Sequence, residues 1–334
     1  MLETTWFILW GVLWAVYFVL DGFDLGLGTL LPFISRDDTD RRMIYNSMGP
    51  FWDGNEVWLI TAGGVTFAAF PTTYAVMFSA LYAPLMLILF ALIVRGVSFE
   101  FRNKIDSPGW RKLWDTCLFI GSAVPAILFG VAFANIFQGI PIVKDGIYQG
   151  NLIGLLNPYG LLGGLLFLLL FLVHGCLWLT IKTSGRLSDD AEALAHRLWP
   201  FLLLTAVVFL IATYFFTPLW QNYLDMPVLL LLPLLAVAGL LMSRFLPVGW
   251  KAWAGSALTI ASATLFGVAG LYPNLLPSNI APQFSLSIHN SASSPLTLKI
   301  MLGVALVFVP IVIVYQSVVY HFFRHKLTPD DLLY

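Results

Sequence analysis

Apolar stretches of about 20 residues, separated by short polar turns, run through the whole 334-residue chain. A stretch of that length is enough for a helix to cross a bilayer. The pattern predicts an all-α, polytopic membrane protein with a single integral-membrane domain and nine transmembrane helices, at 5–33, 51–70, 74–97, 117–137, 158–181, 199–217, 227–245, 251–272 and 296–323. Nine helices joined by short turns suit two four-helix bundles and one peripheral helix.

The basic residues divide unevenly between the two sides of this arrangement. If the nine helices cross in turn, all of the 17 Lys and Arg except Lys144 and Lys299 fall on one side. Basic loops resist translocation, so this side is predicted to be cytoplasmic, with the N-terminus outside and the C-terminus inside. The alternative is eight helices, with the second and third spans read as one broken hairpin. Eight helices would place basic residues on both sides of the membrane, so nine is preferred.

The composition excludes a soluble protein and offers little to a redox centre. Hydrophobic residues make up 59% of the chain and charged residues 10%, where a soluble domain has about 25% charged. The net charge of -1 gives no reason to expect a nucleic-acid partner. Of five histidines only His174 lies clearly within a predicted span, and haem ligation in the bilayer needs more. We therefore expect no cofactor or metal held by this chain, and an interhelical hydrogen bond at His174.

Four carboxylates enter the predicted spans, and they are the main candidates for function. A carboxylate in hydrocarbon costs on the order of 3 kcal/mol, so such groups normally face a partner, a cavity or water. Asp21 and Asp24 form one i, i+3 pair and Asp53 and Glu56 form another, which places each pair on one helix face. Both pairs lie toward the predicted cytoplasmic side, where the third span ends in two further charged residues, Arg95 and Glu100.

These positions predict one shared polar site. The alternative is that the four carboxylates are ordinary helix-end groups, satisfied by the helix dipole and by Arg95.

The segment FWDGNEVW around Asp53 is the most informative in the chain. Gly54 permits close approach of another backbone or a flat ligand, while Trp52 and Trp58 supply broad apolar faces with an indole N–H. We expect interface or supporting roles for this segment and its surroundings, carried by Trp52, Gly54, Asn55, Glu56, Trp58 and Arg95.

Several longer motifs are specific enough to suggest a family. They are DGFDLGLG from Asp21, NSMGPFWDGNEVWLITAGG from Asn46, FRNKID from Phe101, GVAFANIFQGIP from Gly130, LNPYGLLGG from Leu156 and KTSG from Lys182. With them the chain resembles, over nearly its whole length, subunit II of the cytochrome bd-type quinol oxidases. These are respiratory terminal oxidases of the bacterial and archaeal cytoplasmic membrane.

The resemblance implies a heterodimer in which subunit I carries two b-type haems, haem d and the quinol site. Subunit II would brace subunit I and contribute to proton delivery. The family's proton-pathway carboxylate carries over to Asp53, the acidic position at the end of the third helix to Glu100, and the aspartates of DGFD to Asp21 and Asp24. Glu56 occupies a position that can be an amide in relatives. Small accessory subunits, and a structural quinone or lipid in this chain, stay open.

Two other classes of protein compete with an oxidase subunit. A proton-coupled transporter would be expected to show inverted repeats with polar groups near the midplane of both halves, whereas polarity here is confined to the N-terminal third. A purely structural membrane partner would not need deep carboxylates. The sequence therefore favours a subunit that serves quinol-driven reduction of oxygen and so helps to generate membrane potential.

Overall fold

The computed structural model describes residues 1–332, and they form a helical protein with one two-stranded antiparallel sheet. Leu333 and Tyr334 lie outside the described residues. The α-helices are α1 Leu2–Leu20, α2 Gly22–Ile34, α3 Asp38–Met48, α4 Trp52–Ala69, α5 Pro71–Ala80, α6 Tyr82–Phe101, α7 Pro108–Gln138, α8 Leu152–Leu155, α9 Pro158–Lys182, α10 Arg186–Phe216, α11 Trp220–Asp225, α12 Leu231–Phe245, α13 Trp250–Leu271, α14 Ile288–Ser291 and α15 Pro295–Phe322. The strands are β1 Asn274–Leu276 and β2 Leu286–Ser287, and short 3-10 turns occupy Lys144–Gly146, Pro227–Leu230, Pro282–Phe284 and Pro329–Asp331.

The predicted all-α, polytopic fold class is confirmed. Within the described residues eight helical segments are long and apolar enough to cross a membrane: Leu2–Ile34, Tyr82–Phe101, Pro108–Gln138, Pro158–Lys182, Arg186–Phe216, Pro227–Phe245, Trp250–Leu271 and Pro295–Phe322. The predicted second span forms α4, but its polar WDGNE turn keeps it out of this set.

Helix α4 nevertheless runs from one end of the molecule to the other. At its start the ring of Phe51 lies 5.5 Å from the Lys182 ammonium, and at its end the Ala69 carbonyl accepts a hydrogen bond of 2.9 Å from Ser293. Eighteen residues at about 1.5 Å each span roughly 27 Å, close to the thickness of a bilayer core. This course supports the prediction of nine crossings.

Polar contacts between residues at the ends of helices mark the two ends of the molecule. At one end the ion pairs Arg36–Asp190 (2.8 Å) and Arg102–Asp115 (2.7 Å) join residues at or near the ends of helices. At the other end the Trp6 indole donates to the Leu298 carbonyl at 3.0 Å. The end that carries the two ion pairs is the one rich in basic residues, which is the predicted cytoplasmic side.

The helices differ from the predicted spans in several places. The first span breaks at Asp21 into α1 and α2, and the third breaks at Leu81 into α5 and α6. Helices α7 and α10 each have 31 residues, well beyond the roughly 20 that a bilayer requires, so they begin earlier than predicted. As a result Asp115, expected in a loop, lies near the start of α7.

Helix α9 lies at the centre of the fold, against α2, α7, α10 and α13. Glycines bring these backbones close together: a Cβ on Gly26 of α2 would lie 1.9 Å from the Phe171 carbonyl oxygen of α9, and one on Gly130 of α7 would lie 2.2 Å from that of Gly163. Small residues at such crossings let membrane helices pack closely. The glycines of DGFDLGLG therefore serve packing within this chain.

Reporter fusions test the nine-crossing arrangement. Fusions after Asp38, Asp106, Asp189 and Tyr334 should report cytoplasm, and those after Pro71, Lys144 and Ser287 should report the outside, because of the basic-residue asymmetry. The fusion after Pro71, at the far end of α4, is the critical one. A cytoplasmic report there, with an unchanged report at Asp38, would show that α4 does not cross.

Candidate functional site

A buried ion pair lies where the first span breaks. The Arg95 guanidinium of α6 donates through both terminal nitrogens to the two carboxylate oxygens of Asp21, with Nη1 3.0 Å from Oδ2. Both side chains are completely buried. A two-pronged Arg–carboxylate pair is the geometry in which burial of charge is best compensated.

Two further carboxylates surround this pair. Oε1 of Glu56 in α4 lies 3.2 Å from Arg95 Nη2, and Asp24 accepts a 2.7 Å hydrogen bond from the Asn55 amide. The same amide donates to the Leu20 carbonyl at 3.0 Å, at the end of α1. We call Asp21, Asp24, Asn55, Glu56 and Arg95 the Arg95 cluster. It contains three carboxyl groups and one guanidinium.

The last long helix, α15, completes the surroundings of the cluster with residues that the sequence interpretation missed. The Tyr320 hydroxyl donates to Asn55 Oδ1 at 2.9 Å, and the Trp58 indole donates to Gln316 Oε1 at 2.7 Å. The Gln316 amide in turn donates to the Gly54 carbonyl. The available signal was the presence of a glutamine and a tyrosine in a largely apolar helix.

Three further predicted residues, Trp52, Asp53 and Glu100, lie beside the cluster and are not part of it. Asp53 and Glu100 are exposed, and their carboxylates lie near enough to repel each other. Trp52 stacks on Phe99 of α6, with ring centroids 5.1 Å apart and planes 5° apart. This stack fixes the start of α4 against the end of α6, so Asp53 stands at the rim of the cluster.

A second charged network lies beyond the ends of the spans at the same side. Arg102 donates to Asp115 and to Asp38, both at 2.7 Å, and Arg186 donates to both oxygens of Asp40. Partial burial alone would raise the pKa of Asp38, but the hydrogen bond and charge of Arg102 lower it below its ordinary value. The network ties α3 to α6, α7 and α10.

His174 makes hydrogen-bond contacts with two other helices. Its Nδ1 lies 2.6 Å from the Ser256 hydroxyl of α13 and its Nε2 lies 3.0 Å from the Val19 carbonyl of α1. The predicted interhelical bond is confirmed. Across residues 1–332, no three His, Cys, Asp or Glu side chains come together as a metal site.

The fold and the site together define a class of protein. It is a polytopic helical membrane protein whose spans carry surface carboxylates beside a buried cluster of charges. Intramembrane groups of this kind mark ion or proton routes.

Comparison with known proteins narrows the class. Residues 2–323 match the family described as cytochrome bd terminal oxidase subunit II. The probable cytochrome oxidase subunit 2 of Haemophilus influenzae is 38% identical, over 94% of this chain and 92% of its own length. Cytochrome bd-I ubiquinol oxidase subunit 2 of Escherichia coli is 36% identical over 99% and 97%, and cytochrome bd ubiquinol oxidase subunit 2 of Bacillus subtilis is 34% identical over 99% and 98%.

A solved structure shares the fold. The bd oxidase of Geobacillus thermodenitrificans contains a chain that superposes with a TM-score of 0.75 at 17% identity, covering 96% of this chain and 98% of that one. This chain therefore belongs to the cytochrome bd terminal oxidase subunit II family, as the resemblance predicted, and is a subunit of a terminal oxidase.

Proposed function

We propose that this chain braces a haem-bearing subunit I in the cytoplasmic membrane and conducts protons from the cytoplasm toward quinol-driven reduction of oxygen. The relatives from Escherichia coli and Bacillus subtilis are named as ubiquinol oxidase subunits, which supports a quinol as the electron donor. The observation that carries the proton-conducting part is Asp53, an exposed carboxylate in the first turn of a helix that crosses the fold.

Asp53 and Glu100 need something other than lipid around them. An ionised carboxylate facing hydrocarbon is unfavourable, so a surface that presents two of them beside a buried charged cluster fits contact with a partner subunit and water. Glu100 lies in the last turn of α6, one residue before its end, and is nearer the bulk water of the cytoplasm. Asp53 lies further in and would receive protons from it.

The residues of this chain would hold and move protons only. The haems of subunit I would supply electron transfer to oxygen, which consumes protons in a region of low dielectric constant. A series of titratable side chains lets those protons arrive without opening the region to bulk water. Uptake from the cytoplasm, with quinol oxidised on the outer side, would convert turnover into membrane potential.

The bracing role rests on the surface around Asp53. Helix α15 crosses next to α4 but buries only Leu298 and Gln316 of its 28 residues. Its exposed apolar side chains include Ile300, Val304, Val307 and Ile311. We place subunit I on the surface formed by α4, α6 and α15, because packing there would cover Asp53 and Glu100 together.

A cavity offers a place for the structural quinone or lipid that the family resemblance leaves open. It has a volume of about 580 Å³ between α1, α4, α5, α6 and α7, and its walls include Trp10, Trp14, Met77, Phe129 and Phe133. An apolar cavity of this size suits an acyl chain or an isoprenoid tail.

Substitution of Asp53 by asparagine tests the proton-conducting role. The amide keeps the size and hydrogen bonding of the side chain but cannot take up a proton, so quinol-driven oxygen consumption should fall at least about tenfold. Glu100→Gln should have a smaller effect, since groups near water can be bypassed. The measurement requires a complex whose haem content and subunit ratio match the parent.

The matched control is Asp189→Asn, an exposed carboxylate at the same end of the molecule but in the first turn of α10. It should turn over like the parent. Fully assembled Asp53→Asn complex with parental turnover across pH would refute proton conduction by Asp53 and leave the chain a bracing role only.

A further inference from the structure

We propose that Glu56 is the proton-transfer residue that connects Asp53 at the surface to the buried part of the Arg95 cluster. The inference rests on the proposed proton-conducting function and names a step within it. Glu56 is one of three carboxyl groups around Arg95, and its position differs from those of the other two in ways that suit a mobile proton carrier.

Exposure to solvent decreases from Asp53 through Glu56 to Asp21. Asp53 is exposed, the Glu56 side chain is 23% exposed, and the Asp21 side chain is fully buried. Asp53 and Glu56 are three residues apart on α4, so they are neighbours on the helix surface, about one turn apart. Glu56 is thus the carboxyl group with access to both the rim and the interior.

Hydrogen bonds hold Asp21 and Asp24 in place and constrain Glu56 less. Asp21 takes donors from both terminal nitrogens of Arg95, and Asp24 is held by Asn55. Glu56 lies within ion-pair distance of Arg95, but its Oε1 has no hydrogen-bond partner among residues 1–332. A buried acceptor without a donor is satisfied by water or by a proton.

The balance of charges in the cluster allows Glu56 to change its protonation state. One guanidinium faces the three carboxyl groups of Asp21, Asp24 and Glu56, and Asp21 already matches its charge. A second or third negative charge in this water-poor region is unfavourable, so the carboxyl groups beyond Asp21 favour carrying a proton. Oδ1 of Asp24 also lacks a hydrogen-bond partner among the described residues, so it is an acceptor for a proton passed inward.

The test compares Glu56→Gln and Glu56→Asp in the intact complex. Glu56→Gln keeps size and polarity but removes the titration, so oxygen consumption should fall about tenfold or more and its pH profile should flatten. Glu56→Asp keeps a titratable group and should restore a pH-dependent rate. The charged groups that face Glu56, and whose titration must be considered, are Asp53 on α4, Arg95 on α6, Asp21 at the break between α1 and α2, and Asp24 in the first turn of α2.

The matched control is Glu192→Gln on α10, the same chemical change away from the cluster. If Glu56 served only as a counter-ion of Arg95, Glu56→Gln would lower the thermal midpoint of the complex and leave the shape of the pH profile unchanged. That outcome would overturn the proposal.

A double variant separates this proposal from the proposed function. If Asp53 and Glu56 act in series, Asp53→Asn combined with Glu56→Gln should be no slower than the slower single variant. If Asp53→Asn consumes oxygen slowly and Glu56→Gln consumes it at the parental rate, the role of Glu56 is overturned and conduction by Asp53 stands. Parental rates for both single variants would refute the two proposals together.

Discussion

Replacing Arg95 by methionine is expected to destabilise the subunit by about 3–5 kcal/mol, which is enough to block assembly of the complex. The substitution leaves the carboxylate of Asp21 buried without the guanidinium that binds both of its oxygens. An unpaired buried charge costs far more than a lost surface contact. The yield of haem-bearing complex from detergent extracts, and its thermal midpoint, measure the effect.

Two variants test whether the loss of stability comes from the Asp21 carboxylate left without its partner. Arg95→Met combined with Asp21→Asn removes both charges and should recover much of the lost yield. Arg111→Leu breaks a pair with Asp106 whose side chains are 33% and 92% exposed, so it should cost at most about 1 kcal/mol. If the double variant assembles no better than Arg95→Met, the ion pair is not what holds this region together.

The fold class follows from the sequence because bilayer thickness fixes the length of apolar stretches, whereas the breaks within helices depend on local chemistry. The break at Leu81 had a signal: Pro84 has no N–H to donate to the Ala80 carbonyl, so the helix is interrupted just before it. The break at Asp21 is a tertiary effect. The freed Leu20 carbonyl is satisfied by Asn55, a residue from another helix.

Part of the site could also be predicted from the sequence. Helical spacing placed Asp21 near Asp24 and Asp53 near Glu56, but positions three apart differ by about 60° around a helix. That difference turns Glu56 toward Arg95 and leaves Asp53 on the surface. Tyr320 joins the cluster from a helix more than 250 residues away in sequence, and periodicity carries no information about such contacts.

Gly26→Ala is expected to have an effect as large as that of Arg95→Met, through packing alone. A methyl group on Gly26 would lie 1.9 Å from the Phe171 carbonyl oxygen and 2.6 Å from its carbonyl carbon. These are backbone atoms at the centre of α9, which cannot rotate away as a side chain can. Helices α2 and α9 must therefore separate, at a cost of about 3 kcal/mol or more.

The same separation would reach the Arg95 cluster, because α2 begins at the residue after Asp21 and carries Asp24. Gly26→Ala should thus lower the yield and thermal midpoint of the complex, and the fraction that assembles should turn over slowly. The control is Gly109→Ala in the first turn of α7, where the added methyl group would meet nothing closer than 3.9 Å. A stable, fully active Gly26→Ala complex would show that the α2–α9 crossing is looser than the backbone contact requires, and would separate the geometry of α2 from the activity of the cluster.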